Sequence, residues 1–547
     1  MYKQYPSGSM TAEVFATGKK YPDLAAYEYM GSRRTYRAFE GDVREAARAF
    51  YALGIRAGDR VMLSMPNVPQ GVVLFYALNL VGAVACMTHP LSSAEEMAEL
   101  IASAQPRLFV TLYQFYDKFR AAIDDSSIEK TVLTGPGDAL GAPLRTLLAL
   151  RDKKPTRSEK VLRYKDFLRN AKAVTTQDYE HTGRADDLAA VLYSGGTTGR
   201  TKGILLTNLN FNAQAILTAE AGDCLIPDTK FLAVLPIFHG FGLGVCVHMA
   251  MITGVTSLLV PRFTPASYAK LLKKSRPEYI AGVPTLFEAL LRLPNADELD
   301  MSQMRGVFSG GDSLNAELKT RFDAYLAARG AKVEIREGYG LTECVTACCL
   351  TPKKAELQPK NAGSIGLPFR DMEFKIVPTD ANSEYGEICI SGPTIMRGYD
   401  NEAEATAQTL RTHDDGKLWL HTGDLGEIDE NGYVYFRGRI KRMLVSSGYN
   451  VYPFHVESIM LKHPLVRECC VIGVPDAYRM QRVKAFVVLE NGVGATIQDE
   501  LEQYAKTSLA PYNRPREIEI VEALPKTLVG KVAYAELTAM EQAKAAK

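Results

Sequence analysis

Short apolar runs of strand length alternate with amphipathic helical stretches along most of this chain, which narrows the architectures open to it. Asp42 to Leu53 has helical apolar spacing, Arg60 to Ser64 reads as a strand, and Gln70 to Ala85 as a buried helix. Ala316 to Arg329 is a further amphipathic helix with Gly330 as its stop, before a strand over Lys332 to Ile335. Strands alternating with helices favour parallel neighbours, because the crossover between parallel strands is usually helical. The expected class is therefore α/β, with a large N-terminal domain of layered sheets and helices. Gly386 to Gly438 breaks the pattern with short β runs and turns, as in Gly386–Ile390 and Glu430–Phe436, and predicts a small antiparallel unit. Helix and strand signals then return over Val456–Lys462, Cys469–Val474 and Val483–Leu489. A chain of 547 residues exceeds what one core supports. The expected division is 1–439 and 440–547, the second a small α+β domain of about a hundred residues.

Charge and composition exclude several classes of function. The formal net charge of +1 provides no drive toward nucleic acid or an anionic membrane. The N-terminus (Met1 to Asp23) has no continuous apolar stretch of the secretory type. Val245 to Val260 is the longest apolar tract, too short to span a bilayer and interrupted by His248, so it reads as buried core. Nine cysteines form no Cys-x-x-Cys pair, and eight scattered histidines supply no matching ligands, which argues against a zinc site. Reduced, mostly buried thiols in a cytoplasmic protein are expected. The sequence leaves the oligomeric state open.

Residues 193 to 203 read Tyr-Ser-Gly-Gly-Thr-Thr-Gly-Arg-Thr-Lys-Gly, between apolar strands at Leu188–Leu192 and Ile204–Leu206. Amides free of side-chain bulk, hydroxyl donors and a cation suit a polyphosphate. Gly203 follows Lys202 where a Walker A loop has Ser or Thr, so this is a different phosphate loop. Ser194, Gly195, Gly196, Thr197, Thr198, Gly199, Thr201 and Lys202 are its candidate ligands.

Further constellations point the same way. Glu337-Gly338-Tyr339-Gly340-Leu341-Thr342-Glu343 offers a ring that can stack on a base, a hydroxyl for phosphate oxygen and a carboxylate for Mg²⁺. Ser309-Gly310-Gly311-Asp312 is a glycine turn against which a planar ligand can lie. Thr422-Gly423-Asp424 places a carboxylate after a turn, able to bridge ribose hydroxyls. Pro525 to Lys531 sets a lysine on a loop hinged at Gly530.

These motifs in this order resemble the adenylate-forming superfamily of acyl-CoA synthetases, peptide-synthetase adenylation domains and luciferases, over roughly residues 40 to 535. Pro236-Ile237-Phe238-His239-Gly240 and Arg437-Gly438-Arg439-Ile440-Lys441 belong to the same series. Two departures, Gly196 and Thr201 in place of the proline before the lysine, fall in a loop whose backbone does much of the binding. The resemblance implies a ligase that joins a carboxylate to the α-phosphate of ATP, then transfers the acyl group to a thiol, usually coenzyme A. It implies that residues 194–202 hold the β and γ phosphates. Tyr339 would stack on adenine beside Gly310 and Gly311, and Asp424 and Arg439 would hold the ribose. Thr342 would touch the α-phosphate and Glu343 would bind Mg²⁺. Lys531 would bridge carboxylate and α-phosphate. Lys441 resembles the hinge on which the small domain rotates between half-reactions. Ser447, Gly448 and Tyr449 would meet the pantetheine arm, and Arg442 and Arg479 are looser candidates for CoA phosphates.

The same resemblance places the acyl pocket around His239, Phe238, Phe241, Val283, Phe308, Val345, Ala347 and Cys348. These are apolar or small apart from His239, a possible gate, and nothing there pairs an ammonium, so an amino acid is a poor substrate. A hydrophobic acid fits, with a medium- or long-chain fatty acid first. The alternatives are an aryl or bile acid, loading of a separate carrier protein and, remotely, a non-catalytic nucleotide-binding regulator. Glu343 and Lys531 together argue against the last.

Overall fold

Two largely parallel sheets carry the N-terminal part of the chain, and each ends in antiparallel strands where the candidate motifs lie. The computed structural model describes residues 4–142, 144–149, 159–194, 201–262, 264–293, 299–353, 363–379, 385–446, 449–476, 480–490, 497–527 and 531–545. In the eight-stranded sheet, Val84–Thr88, Arg60–Ser64, Leu108–Leu112, Lys130–Thr134 and Val161–Arg163 run parallel. Their near-continuous apolar character follows from burial on both faces. Leu188–Ser194 joins this sheet in parallel and pairs antiparallel with Lys202–Thr207, which sets the two flanks of the glycine-rich run side by side. Gly398–Tyr399 adds a last antiparallel strand.

The nine-stranded sheet is parallel at its centre, from Ala25–Tyr29 through Thr256–Leu259, Lys230–Ala233, Tyr279–Gly282 and Gly306–Ser309 to Ile335–Gly340. Between the two sheets lies the helix Pro69–Val81, every residue of which is buried, as a helix apolar all round requires. The tract from Val245 to Val260 is buried core as expected: a π-helical segment over Phe241–Met249, then Ala250–Ile252 and the strand Thr256–Leu259. No helix among the described residues is long and apolar enough to cross a membrane.

Residues 373–439 form the expected antiparallel unit, with Glu373–Val377, Gly386–Ser391, Leu418–Ile428, Leu410–Thr412 and Val434–Arg439 in one sheet. The smaller C-terminal domain has its own mixed sheet, built on the long hairpin Val466–Asp476 and Met480–Leu489 and flanked by three helices. All nine cysteines are free, and all but Cys224 and Cys469 are buried.

Two segments differ from the sequence reading. The helix expected to Ala85 ends at Val81, because Gly82 adopts φ +80°, turns its N–H back to the Leu78 and Asn79 carbonyls, and releases Val84–Thr88 as a strand. The strand expected over Lys332–Ile335 runs instead from Ile335 to Gly340, so Glu337 to Gly340 are part of the strand and pair with Ala347–Leu350. Glycine makes this possible: a Cβ on Gly340 would stand 1.6 Å from the Thr346 carbonyl oxygen.

Candidate active site

A cavity of about 820 Å³ opens where the ends of both large sheets, the antiparallel unit and the C-terminal domain meet. At one side this strand pair brings Ser194 opposite Lys202. The Lys202 ammonium lies 4.6 Å from the centre of the Tyr399 ring, and the Tyr399 hydroxyl donates to Glu343 Oε1 at 2.9 Å. Glu343 sits in the helical turn Thr342–Cys344, and its carbonyl accepts the Met396 N–H at 2.7 Å. Tyr399 is fixed in turn by its neighbour Asp400, which takes Arg60 in two hydrogen bonds of 2.7 Å and donates its N–H to the Gly203 carbonyl. Ser194, Thr201, Lys202, Thr342, Glu343 and Tyr399 all line the cavity. Gly195, Gly196, Thr197, Thr198 and Gly199 lie outside the described residues.

A second group forms on the antiparallel unit. The Thr422-Gly423-Asp424 triplet is a bulge inside the strand Leu418–Ile428 rather than a turn, with Gly423 at φ +72°. Bulges re-aim side chains. This one points Asp424 at Tyr339, whose hydroxyl donates to Oδ2 at 2.8 Å, and at Arg439, whose Nε is 3.2 Å from Oδ1. Asp424 is 1% exposed, and Oδ1 has no aligned hydrogen-bond donor despite the ion pair, which leaves an acceptor for a ligand hydroxyl. Burial raises the Asp424 carboxyl above its ordinary value, while Arg439 and the Tyr339 hydroxyl oppose that shift. Tyr339 lies between Phe374 and Phe436 and is half-buried; Gly338 and Gly340 on either side of it line the cavity, while Tyr339 itself does not. Gly310 and Gly311 line the cavity nearby, Gly311 at φ +80° with Val283 behind it.

Lys531 reaches the cavity from the C-terminal domain. Its loop is closed by Thr527 N–H to the Lys531 carbonyl at 2.7 Å and Lys531 N–H to Thr527 Oγ1 at 3.2 Å. Among the described residues its ammonium has no ion-pair partner within bonding distance. Burial, together with Arg439, lowers its pKa, and Asp312 and Asp424 act against that. Facing it, His239 is pushed down to about 4 by burial and by the Lys531 charge, so its ring is neutral near pH 7. The cationic group at this point is therefore the lysine.

Beyond His239 the cavity wall is apolar or small: Phe238, Phe308, Thr218, Met249, Ala347 and Leu350. Val345 does not line it but lies directly behind. It is a buried γ-turn residue at φ +66°, ψ −58°, with Thr346 N–H donating to the Cys344 carbonyl at 2.8 Å. A β-branched residue in this region is strained. A Cβ on Gly240 would stand 1.7 Å from the Val345 carbonyl oxygen, so the glycine after His239 makes room for the turn.

Lys441 lines the cavity, in the helical turn Ile440–Arg442. Ser447, Gly448 and Arg479 lie outside the described residues. Tyr449 is exposed and stacked on Tyr512 at 4.8 Å, away from the cavity. Arg442 is no solvated cation: it pairs with Glu457, donates to the Val471 carbonyl at 3.2 Å, and lies over Tyr534. The sequence reading also missed Tyr399, because a tyrosine after Gly398 carries no signal until its partners Lys202 and Glu343 are known. It missed Glu387, Cys389 and His421 as well, whose potential ligand atoms lie within 4.8 Å of one another although no spacing motif joins them.

The sequence profile of the AMP-binding enzymes matches residues 14–400, and that of the AMP-binding enzyme C-terminal domain matches residues 455–531. The chain is 32% identical over 542 residues to the long-chain-fatty-acid–CoA ligase of Bacillus subtilis (strain 168), covering 96% of this chain and 93% of the relative. It is 29% identical to 4-coumarate–CoA ligase 1 of Petroselinum crispum over 93% of this chain and 89% of that one. The crystal structure of ATP-bound MatB from Rhodopseudomonas palustris superposes with a TM-score of 0.83 at 26% identity, covering 98% and 99% of the two chains. Anthranilate–CoA ligase AuaEII shares the fold, with a TM-score of 0.84 at 23% identity over the whole of both chains. With the motif series, the cavity they line and these matches, the chain belongs to the AMP-binding enzyme family.

Proposed function

We propose that this protein is an ATP-dependent, AMP-forming acid–CoA ligase acting on a hydrophobic carboxylic acid, with medium- or long-chain fatty acids as the first class of substrate. The observation that carries this reading is a single cavity joining three features: a lysine ammonium with no ion-pair partner among the described residues, a buried acceptor at Asp424 suited to a ribose, and an end walled by apolar side chains. In the first step a carboxylate oxygen bonds to the α-phosphorus of ATP and pyrophosphate leaves. The difficulty is bringing two anions together. Lys531, held where both would meet, neutralises charge as it develops. In the second step the CoA sulfur attacks the acyl carbon, losing its proton, and AMP leaves with the bonding pair.

Base and ribose belong beside Tyr339, Gly310, Gly311, Asp424 and Arg439, and the phosphates beside Thr342, Lys202 and residues 194–201. A divalent Mg²⁺ fits Glu343, whose carboxylate oxygen suits a hard cation that is otherwise held by phosphate and water. Bound there, it would supply countercharge to the leaving pyrophosphate. On this reading Lys441 is the hinge between units 1–439 and 440–547, and Ser447, Gly448 and Tyr449 are the pantetheine contacts after rotation. His239, neutral and beside Phe238, shapes the entrance to the acyl end. The unpaired cysteines suit a cytoplasmic setting.

The relationship to 4-coumarate–CoA ligase supports an aryl acid as the second reading. Purified protein with ATP, Mg²⁺ and CoA should be offered acetate, octanoate, palmitate, benzoate, cinnamate and a bile acid. AMP released together with an octanoyl or palmitoyl thioester is the expected result. A thioester confined to benzoate or cinnamate selects the aryl reading. Adenylate without thioester would shift the acceptor to a carrier protein, and no AMP with any acid would overturn the ligase reading.

A further inference from the structure

Beside the bulge that presents Asp424, with Glu387 and His421 themselves on the cavity wall, a line of polar side chains crosses the antiparallel unit. At its outer end the Lys375 ammonium is 3.5 Å from His413 Nδ1. His413 Nε2 is 2.9 Å from His421 Nε2, and His421 Nδ1 is 2.7 Å from Glu387 Oε2. The other carboxylate oxygen, Oε1, accepts the N–H of Gly423 at 2.9 Å. Thr422 fastens the same bulge, its hydroxyl donating to the Ile388 carbonyl at 2.6 Å.

The two ends of this line fix the protons inside it. An ammonium only donates and a carboxylate only accepts. His413 must therefore accept at Nδ1 and donate from Nε2. His421 must accept at Nε2 and donate from Nδ1 to Glu387. Every polar contact is then satisfied with both rings neutral, and Cys389 Sγ, 3.4 Å from His421 Nδ1, is a side contact of the same N–H. Lys375 and Arg411 are the cations facing this cluster, and Trp419 stacks on the outer ring.

We infer that Glu387 is a positioning residue for the nucleotide, held by the Lys375–His413–His421 relay and acting on Asp424 through the Gly423 amide. This rests on the reading of Asp424 as the ribose acceptor. The carboxylate receives the bulge amide with one oxygen and is oriented by the histidine pair through the other, an arrangement like the outer partners that orient ligands in metal sites. A glutamine in its place has one donor end. Whichever way the amide turns, it either repels the Gly423 N–H or forces His421 into the opposite tautomer.

The test is AMP binding by calorimetry on the full chain, with ¹⁵N NMR of the histidine rings and thermal melts as companions. Glu387→Gln should weaken AMP about tenfold, the scale of a lost hydrogen bond to a charged group. It should also move His421 from the Nδ1–H to the Nε2–H form. His413→Ala should weaken AMP by about two- to threefold, and His413→Gln, which can both accept from Lys375 and donate to His421, should restore it. If Glu387→Gln does not fold, the His413 pair at the outer end decides. Wild-type affinity in Glu387→Gln, or an Nε2–H tautomer of His421 in the wild type, overturns the relay. So does stoichiometric Zn²⁺ uptake that is lost in Cys389→Ser, which would make the cluster a metal centre. Wild-type protein that binds no AMP would instead bring down the nucleotide reading itself.

Discussion

The ends of the cavity proposed for the phosphates and for the ribose are held together in opposite ways. At one end Lys202, Tyr399 and Glu343 satisfy one another, ammonium over ring and hydroxyl to carboxylate, on two half-exposed strand ends and the helical turn beside them. At the ribose end Asp424 is almost wholly buried and gripped by Tyr339, Arg439 and the bulge behind it. The first arrangement is an exchange: its partners can be given up for phosphate oxygens as a ligand arrives. The second is preorganised, with the ordering cost met during folding and one acceptor left open. On the proposed assignment a nucleotide would be seated by its sugar and base while the triphosphate rearranges.

The largest expected effect lies between the two ends. Lys531→Ala should lower adenylate formation by about 10²-fold or more, as loss of a transition-state donor does, yet largely spare thioester formation from supplied acyl-adenylate. Equal loss in both half-reactions would show that the lysine serves the whole cavity. Next, Asp424→Asn should raise the ATP KM by roughly tenfold and lower the melting temperature, because Arg439 keeps a charge without its partner. A change confined to melting would leave the ribose end structural. Tyr399→Phe should be milder, roughly a two- to fivefold weakening of ATP measured with Mg²⁺ and little change without it, since Glu343 loses one hydrogen bond from a neutral donor. An effect as large as that of Asp424→Asn would erase the contrast between the ends.

A separate effect, read in stability and not in binding, concerns Glu337, on the strand beside Gly310. Burial raises its carboxyl to about 7, although the Leu314 N–H opposes this with a 2.8 Å hydrogen bond to Oε1. Since the folded pKa lies above the unfolded one, folding takes up a proton between the two. The contribution is complete below the unfolded value near 4.5 and is lost as pH rises through 7. Melts of Glu337→Gln should therefore gain on the wild type between pH 5 and 8, by about 1–2 kcal/mol. A constant difference would mean that Glu337 is ionised throughout.

Most of the architecture was legible because its signals are local. Buried parallel strands declare themselves as apolar runs, as at Leu108–Leu112, and the glycine-rich run declares both its flanking strands. The motif residues Lys202, Glu343, Asp424, Arg439 and Lys531 proved to share one cavity although they span more than half the chain. What escaped depends on pairing across sheets. Tyr399 acquires meaning only from a strand edge nearly two hundred residues away in sequence, and Glu387 only from a bulge in the neighbouring strand. The Val345 turn escaped for another reason: nothing in a valine announces a positive φ, and only the space over Gly240 permits it.

The free thiols bear on selectivity within the reaction itself. An acyl-adenylate is an indiscriminate acylating agent, and any protein thiolate within reach would take the acyl group before coenzyme A arrived. Three cysteines, Cys344, Cys348 and Cys349, follow closely on Glu343, and all three are fully buried. Burial pushes Cys344 and Cys349 well up from the ordinary thiol range, keeping them protonated. Self-acylation is thereby suppressed at its most exposed point in the cycle, and the incoming cofactor meets the activated acid without an internal competitor.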